Sequence, residues 1–216
     1  MTTPESPDGL ASRLRDATAP EHRDTENRGF ITRLMGGELD LAAYVRYLAQ
    51  YTHVYRALEA RAAQPGDPGF LADEALRRVP SMESDLVALG AADWEAAHAP
   101  LPATQAYVDH LHAIAAQDVP RYVAHHYTRY LGDLSGGQAI AKLVARHYGA
   151  TDAQLGFYRF EEIDSPVRYK RAYREQLDAL DLDAEQEAVL IAEAKSAFHL
   201  NGAIFDALGA AEPLAA

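Results

Sequence analysis

Arg129 and Asp133 stand four residues apart inside RYLGDLSGGQ, a run that also holds Gly132, Gly136 and Gly137. Apolar residues keep helical spacing on both sides of this run, so positions 129, 132, 133, 136, 137, 140 and 144 fall on one helical face, with Leu143 beside them. Three glycines in a helix interior forgo about 0.5–1 kcal/mol each relative to alanine, which calls for something packed against the bare backbone. A closely crossing helix and a flat ligand both meet that demand. The polar pair bordering the patch favours the ligand, because an apolar slot with a few placed polar groups is the usual build of a small-molecule site. A phosphate-cradling loop fits less well: GDLSGGQ lacks the Lys-Ser or Lys-Thr ending, and no strand precedes it. The opposite stripe, Tyr127, Leu131, Leu134 and Ala141, is available for the core.

Two other pairs share the four-residue spacing. His22 and Glu26 lie on one helix face, and so do Lys170 and Arg174 within RYKRAYR, whose four basic residues in seven taken alone describe a solvated surface. Thr18 to Glu21 has the form T-x-x-E, a capping box, so a new helical turn is expected to begin at Thr18 with Pro20 in its first turn. The chain has no cysteine, which excludes disulfides, thiolate metal sites and a thiol nucleophile and leaves His, Tyr, Asp and Glu for any metal. The other histidines read blandly: His125 and His126 are adjacent and diverge on a helix, His110 and His112 are two apart and cannot share a face, and His53, His98, His147 and His199 have no partner at ligand spacing.

These residues need helices to position them, and nearly every segment reads helical. A first amphipathic pattern starts at Leu10 and Leu14. A second stripe runs through Tyr44, Leu48, Tyr51, Tyr55 and Leu58. A loop is expected at 64–70, a helix at 72–89, a connection at 90–103, and a helix at 104–116. Helical spacing restarts near 120 and continues to His147, where HYGA is a stop; a turn at 158–165, a helix through Ala179 and a last one over 183–208 complete the chain. No alternating strands are found, so the fold class is all-α, a single irregular bundle.

With 216 residues, 48% of them hydrophobic, the chain can build one core, and residues 1–216 are read as one domain with flexible tails at 1–8 and 210–216. A net charge of −12 argues against nucleic acid as the partner. The start has no basic and apolar leader and no run reaches the ~20 apolar residues of a membrane span, so a cytoplasmic protein without a membrane anchor is expected.

His22-Arg-Asp-Thr-Glu26, YTHVYRALE at 51–59, HHYTRYLGDLSGGQ and KSAFHLNGAIF near the end resemble the heme oxygenases, specifically the bacterial kind used to extract iron from heme. The likeness is collinear from about residue 10 to 208. It implies a heme sandwiched between a proximal helix bearing the axial iron ligand, His22, whose other ring nitrogen Glu26 holds, and a kinked distal helix whose Gly132 and Gly136 lie over the porphyrin. Asp133 matches the distal carboxylate that acts through ordered water, with Tyr55 and Arg129 in the same network. Arg15, Lys170 and Arg174 match the cations that hold the heme propionates, which revises the solvated reading of RYKRAYR, and Tyr127 bonds at that edge. Phe198, Asn201 and Phe205 match pocket-lining positions, and His199 is the nearest competitor to His22. Arg15 stands where animal members carry Lys, and Pro20 is unexpected two positions before the axial residue.

The implied reaction opens heme b, cofactor and substrate at once, to biliverdin, carbon monoxide and ferrous iron for iron acquisition. It uses O2 and electrons from an external reductase, such as a ferredoxin or flavodoxin with its own reductase, and attack at the alpha meso carbon is expected. A basic patch with Lys142 and Arg146 is the expected docking point for an acidic donor, and a monomer is the default. Two other readings fit parts of the pattern. A heme-binding or heme-transfer protein would use the same His22, glycines and cations but gives Asp133 no duty. A di-iron carboxylate bundle needs paired Glu-x-x-His motifs, and only Glu95 to His98 has that form.

Overall fold

The computed structural model describes residues 9–211, and among these no strand occurs. The helices are α1 (Leu10–Glu26), α2 (Gly29–Gly36), α3 (Leu41–Glu59), α4 (Val79–Ala88), α5 (Trp94–Ala97), α6 (Pro102–Ala113), α7 (Val119–His126), α8 (Gly132–Tyr148), α9 (Pro166–Asp178) and α10 (Ala184–Ala211). The all-α, single-domain expectation holds. The tails expected at 1–8 and at the end lie outside the described residues, except that Ala210 and Ala211 still belong to α10.

Three local expectations are corrected. No helix begins at Thr18: α1 runs through Pro20, and the Thr18 hydroxyl donates back to the Leu14 carbonyl at 2.8 Å instead of capping a new turn. Proline costs the helix one hydrogen bond there, and the buried Leu10, Leu14 and Thr25 faces outweigh it. The helix expected from 72 begins only at Val79, because Gly69–Ala72 and Glu74–Leu76 form short 3-10 turns capped by Asp73. The 90–103 connection contains one helical turn, α5, seated on buried Trp94. The stop after His147 is as expected: Gly149 takes the left-handed conformation, φ 69°, that ends α8.

Two helices organise the core. The tyrosine stripe of α3 is buried along its length, with Tyr44, Tyr47, Tyr51 and Tyr55 all at or below 5% exposure. The 28-residue α10 packs against α1, α2, α6 and α7. Side chains fasten α1 to α10: Thr25 donates to the Phe198 carbonyl at 3.3 Å, Glu21 pairs with Lys195 at 3.4 Å, and Arg28 bridges to Asp206 at 2.6 Å. By contrast α1 and α8 each pack against α9 without forming a packed interface with one another.

Candidate functional site

Between α7 and α8 the backbone forms a π turn over Tyr127–Leu131, immediately before the glycines. The bend expected at the glycines therefore precedes them, and it comes from an extra residue in the turn rather than from missing side chains. Past that turn, within regular α8, the three glycines are not equivalent. A Cβ added at Gly132 or Gly136 would meet nothing within 4 Å, whereas one at Gly137 would lie 3.1 Å from the buried Tyr158 ring. Two of the three glycines thus border open space, and the third admits a tyrosine.

Arg129 and Asp133 turn inward from that open strip. Arg129 is buried, donates to Asn201 Oδ1 at 3.0 Å, and lies over the Tyr51 ring at 5.3 Å. Tyr51 donates to the same Asn201 oxygen at 2.5 Å, and Tyr55 donates to Asp133 Oδ2. Burial pushes the Asp133 carboxyl up to about 6, against the opposing effects of the Tyr55 hydrogen bond and the Arg129 and Arg78 guanidinium charges. Burial and the neighbouring carboxylate push the Tyr55 hydroxyl well above its ordinary value, so it stays a donor. Behind α8 a cavity of about 290 Å³ reaches Asp133, lined also by Gln138, Tyr158 and Arg159.

On the other wall, His22 is more than half exposed and its Nδ1 lies 3.2 Å from Glu26 Oε2. The ring meets Phe198 edge-on at 5.6 Å. Phe198 and Asn201 are one turn apart on α10, so this helix touches the imidazole with one side chain and holds Arg129 with the other. Phe205 lies deeper, stacked on Tyr51 at 6.1 Å. His199 is exposed on the outside of α10, while its neighbour Phe198 is the one that meets His22.

The cations sit at the third edge. Lys170 on α9 donates to Ser135 of α8 at 3.2 Å and feels the charge of Arg174 one turn on. Arg15 on α1 is exposed and bonded to Asp16 and Ser12 of its own helix. Tyr127 is partly buried at the start of the π turn.

Two participants were not read from the sequence. Tyr51 belongs to the aromatic stripe of α3, and nothing in its spacing separates a core tyrosine from one whose hydroxyl meets Asn201. Arg78, buried beneath Asp133 and bonded to the Leu76 and Arg159 carbonyls, lies in a segment read as ordinary helix. The only Glu-x-x-His motif is occupied otherwise, with Glu95 paired to Arg56 at 3.0 Å, so the di-iron reading has no support.

An exposed imidazole steadied by a carboxylate, an unfilled strip of glycine backbone and cations at one edge suit a flat, anionic, metal-bearing ligand such as heme. The arrangement defines an all-α protein built to grip a planar cofactor-sized molecule between two helices. Comparison with known proteins gives the family. The heme oxygenase family model matches residues 8–207. A heme oxygenase of Porphyra purpurea is 36% identical, over 92% of this chain and 86% of that protein. Heme oxygenase-1 of Synechocystis sp. PCC6803, solved in complex with heme, is 34% identical with a TM-score of 0.84, covering 92% of this chain and 91% of that one. The heme oxygenase structure from Leptospira interrogans is 33% identical with a TM-score of 0.85, covering 91% and 98%. The chain belongs to the heme oxygenase family, oxidoreductases that cleave heme to biliverdin. Among the described residues no helix is long and apolar enough to cross a membrane.

Proposed function

We propose that this chain binds heme between α1 and α8 and opens it oxidatively on the α8 side, with His22 as the residue that would hold the iron and Asp133 as the proton-handling group. The observation that carries this reading is the unfilled space beside Gly132 and Gly136. Heme, when bound, supplies the iron centre at which O2 reacts and the carbon that is oxidised.

The residues of the chain do the rest. Glu26 accepts from His22 Nδ1–H, which leaves Nε2 for iron and keeps the imidazole oriented. Bare backbone at Gly132 and Gly136 keeps any side-chain acid out of the space beside them, so protons would reach a bound ligand only through water. Asp133, with its carboxyl poised near 6, can hold and release a proton through ordered water close to neutral pH. Tyr55 fixes the Asp133 carboxylate, and Arg129, anchored by Asn201 and Tyr51, keeps a positive charge beside it. Lys170, Arg174 and Arg15, with Tyr127, hold the two propionates and so set which edge of the ring meets the distal pocket, the alpha edge by expectation.

O2 and electrons from an external reductase, a ferredoxin or flavodoxin with its own reductase, complete the reaction. The donor docks at Lys142 and Arg146, exposed one turn apart on α8. The protein works in the cytoplasm as a monomer, supplying iron. Aerobic turnover of the reconstituted heme complex with a ferredoxin system or ascorbate tests the reading: biliverdin, carbon monoxide and released iron are expected. A Soret band that persists with no biliverdin would make the protein a heme carrier instead.

A further inference from the structure

Where α6, α7 and α10 pack together, three ligand-bearing side chains from three helices converge. His110 of α6, His125 of α7 and Glu193 of α10 place one donor atom each within 4.8 Å of one another. His125 Nε2 lies 2.8 Å from Glu193 Oε1, and His110 Nε2 meets the same oxygen. The two imidazole rings are inclined at 60° with centroids 5.4 Å apart, and both Nε2 atoms converge on the one Glu193 oxygen. We propose that this triad is a binding site for a divalent transition metal ion of the zinc type, independent of heme and of the reaction at α8.

The donor set and its surroundings argue for this. Two imidazole nitrogens and one carboxylate oxygen suit zinc and its neighbours rather than magnesium or calcium, and three protein ligands leave a fourth position for water. Tetrahedral coordination spaces ligand atoms roughly 3.3 Å apart, so the His125–Glu193 contact needs to open by about 0.5 Å. The supporting groups are already present. Tyr107 lies 3.0 Å from His125 Nδ1, where its hydroxyl accepts once that nitrogen carries the proton and Nε2 binds metal. Arg121 stands 3.6 Å from the other Glu193 oxygen and is itself paired with Asp118, which offsets its charge. Glu193 and His125 are buried, while the His110 side chain is 36% exposed and gives an ion its way in.

The site would tie α6 and α7 to α10. α7 leads directly into the π turn, and α10 carries Asn201, so a bound ion braces the elements that hold Arg129 without touching the heme.

The test uses the heme-loaded protein, whose His22 is then occupied, titrated calorimetrically with Zn2+ alone. One ion per chain is expected, with the Soret band unmoved and the melting temperature raised. His110→Ala and Glu193→Gln should abolish binding, Tyr107→Phe should weaken it about 10- to 100-fold, and His112→Ala, an exposed histidine on the same helix, should leave it unchanged. Co2+ gives a second readout: ligand-field bands that vanish in His110→Ala while far-UV circular dichroism is unaltered. If the wild-type complex takes up no zinc, or if His110→Ala binds as tightly as the wild type, the triad is only a hydrogen-bonded clamp and the proposal is overturned.

Discussion

Asp133 is the residue to which the proposed function gives the proton handling, and its environment makes two separate predictions. Asp133→Ala removes the proton-handling group but leaves His22 and the glycine strip, so heme should still bind while biliverdin yield falls and oxidised heme accumulates. Unchanged yield would remove this residue from the mechanism. The second prediction concerns stability. The carboxyl ionises near 3.8 in the unfolded chain but only near 6 when folded, so between those values the folded chain binds more protons and folding weakens as pH rises. Below about pH 4 both states are protonated and no penalty exists; above about 6 the whole penalty is present. Asp133→Asn, which can still accept from Tyr55, should therefore gain Tm relative to wild type on going from pH 4 to pH 7. A difference that stays flat would mean the carboxyl is not buried as described. Asn201 is the companion case: its oxygen serves both Tyr51 and the buried Arg129, whose Nε already has no partner, and Asn201→Ala should cost about 1–3 kcal/mol in denaturant unfolding.

The three glycines of α8 look alike in the sequence and differ in the helix. Gly132→Ala and Gly136→Ala place a methyl where nothing stands, so each should raise the stability of the heme-free protein by about 0.5–1 kcal/mol while weakening heme binding in a Soret titration. Gly137→Ala pushes on the Tyr158 ring and should lower stability with heme affinity less affected. If all three behave the same way, the division of the face is wrong. Much of this was legible beforehand: spacing alone placed Gly132, Gly136, Asp133 and Arg129 on one helix, and pairs one turn apart located His22 with Glu26 and Lys170 with Arg174. Spacing failed at the π turn, because a pattern of threes and fours assumes 3.6 residues per turn and hides a single extra residue. It also failed for His110, His125 and Glu193, which meet only through the packing of three helices, and at Thr18, where α1 runs on through the proline and the apparent capping box.

For the molecule as a whole, the net charge of −12 would oppose the approach of the proposed acidic electron donor, while Lys142 and Arg146 would attract it locally. The sign of the salt effect decides which governs. If docking is at the patch, raising ionic strength slows reduction, and Lys142→Glu with Arg146→Glu slows it further at low salt; if the total charge governs, salt accelerates reduction and the reversal matters little. Stopped-flow reduction of the heme complex reads both. The π turn carries a last consequence, for how this chain can change over time. Removing any one residue from Tyr127–Leu131 would restore ordinary winding and rotate everything after it by about 100° while drawing it back about 1.5 Å. Asp133 would swing away from Tyr55 and the glycine strip would face the core. The length of this stretch is therefore fixed whatever side chains it carries, and insertions and deletions should be lethal to activity here.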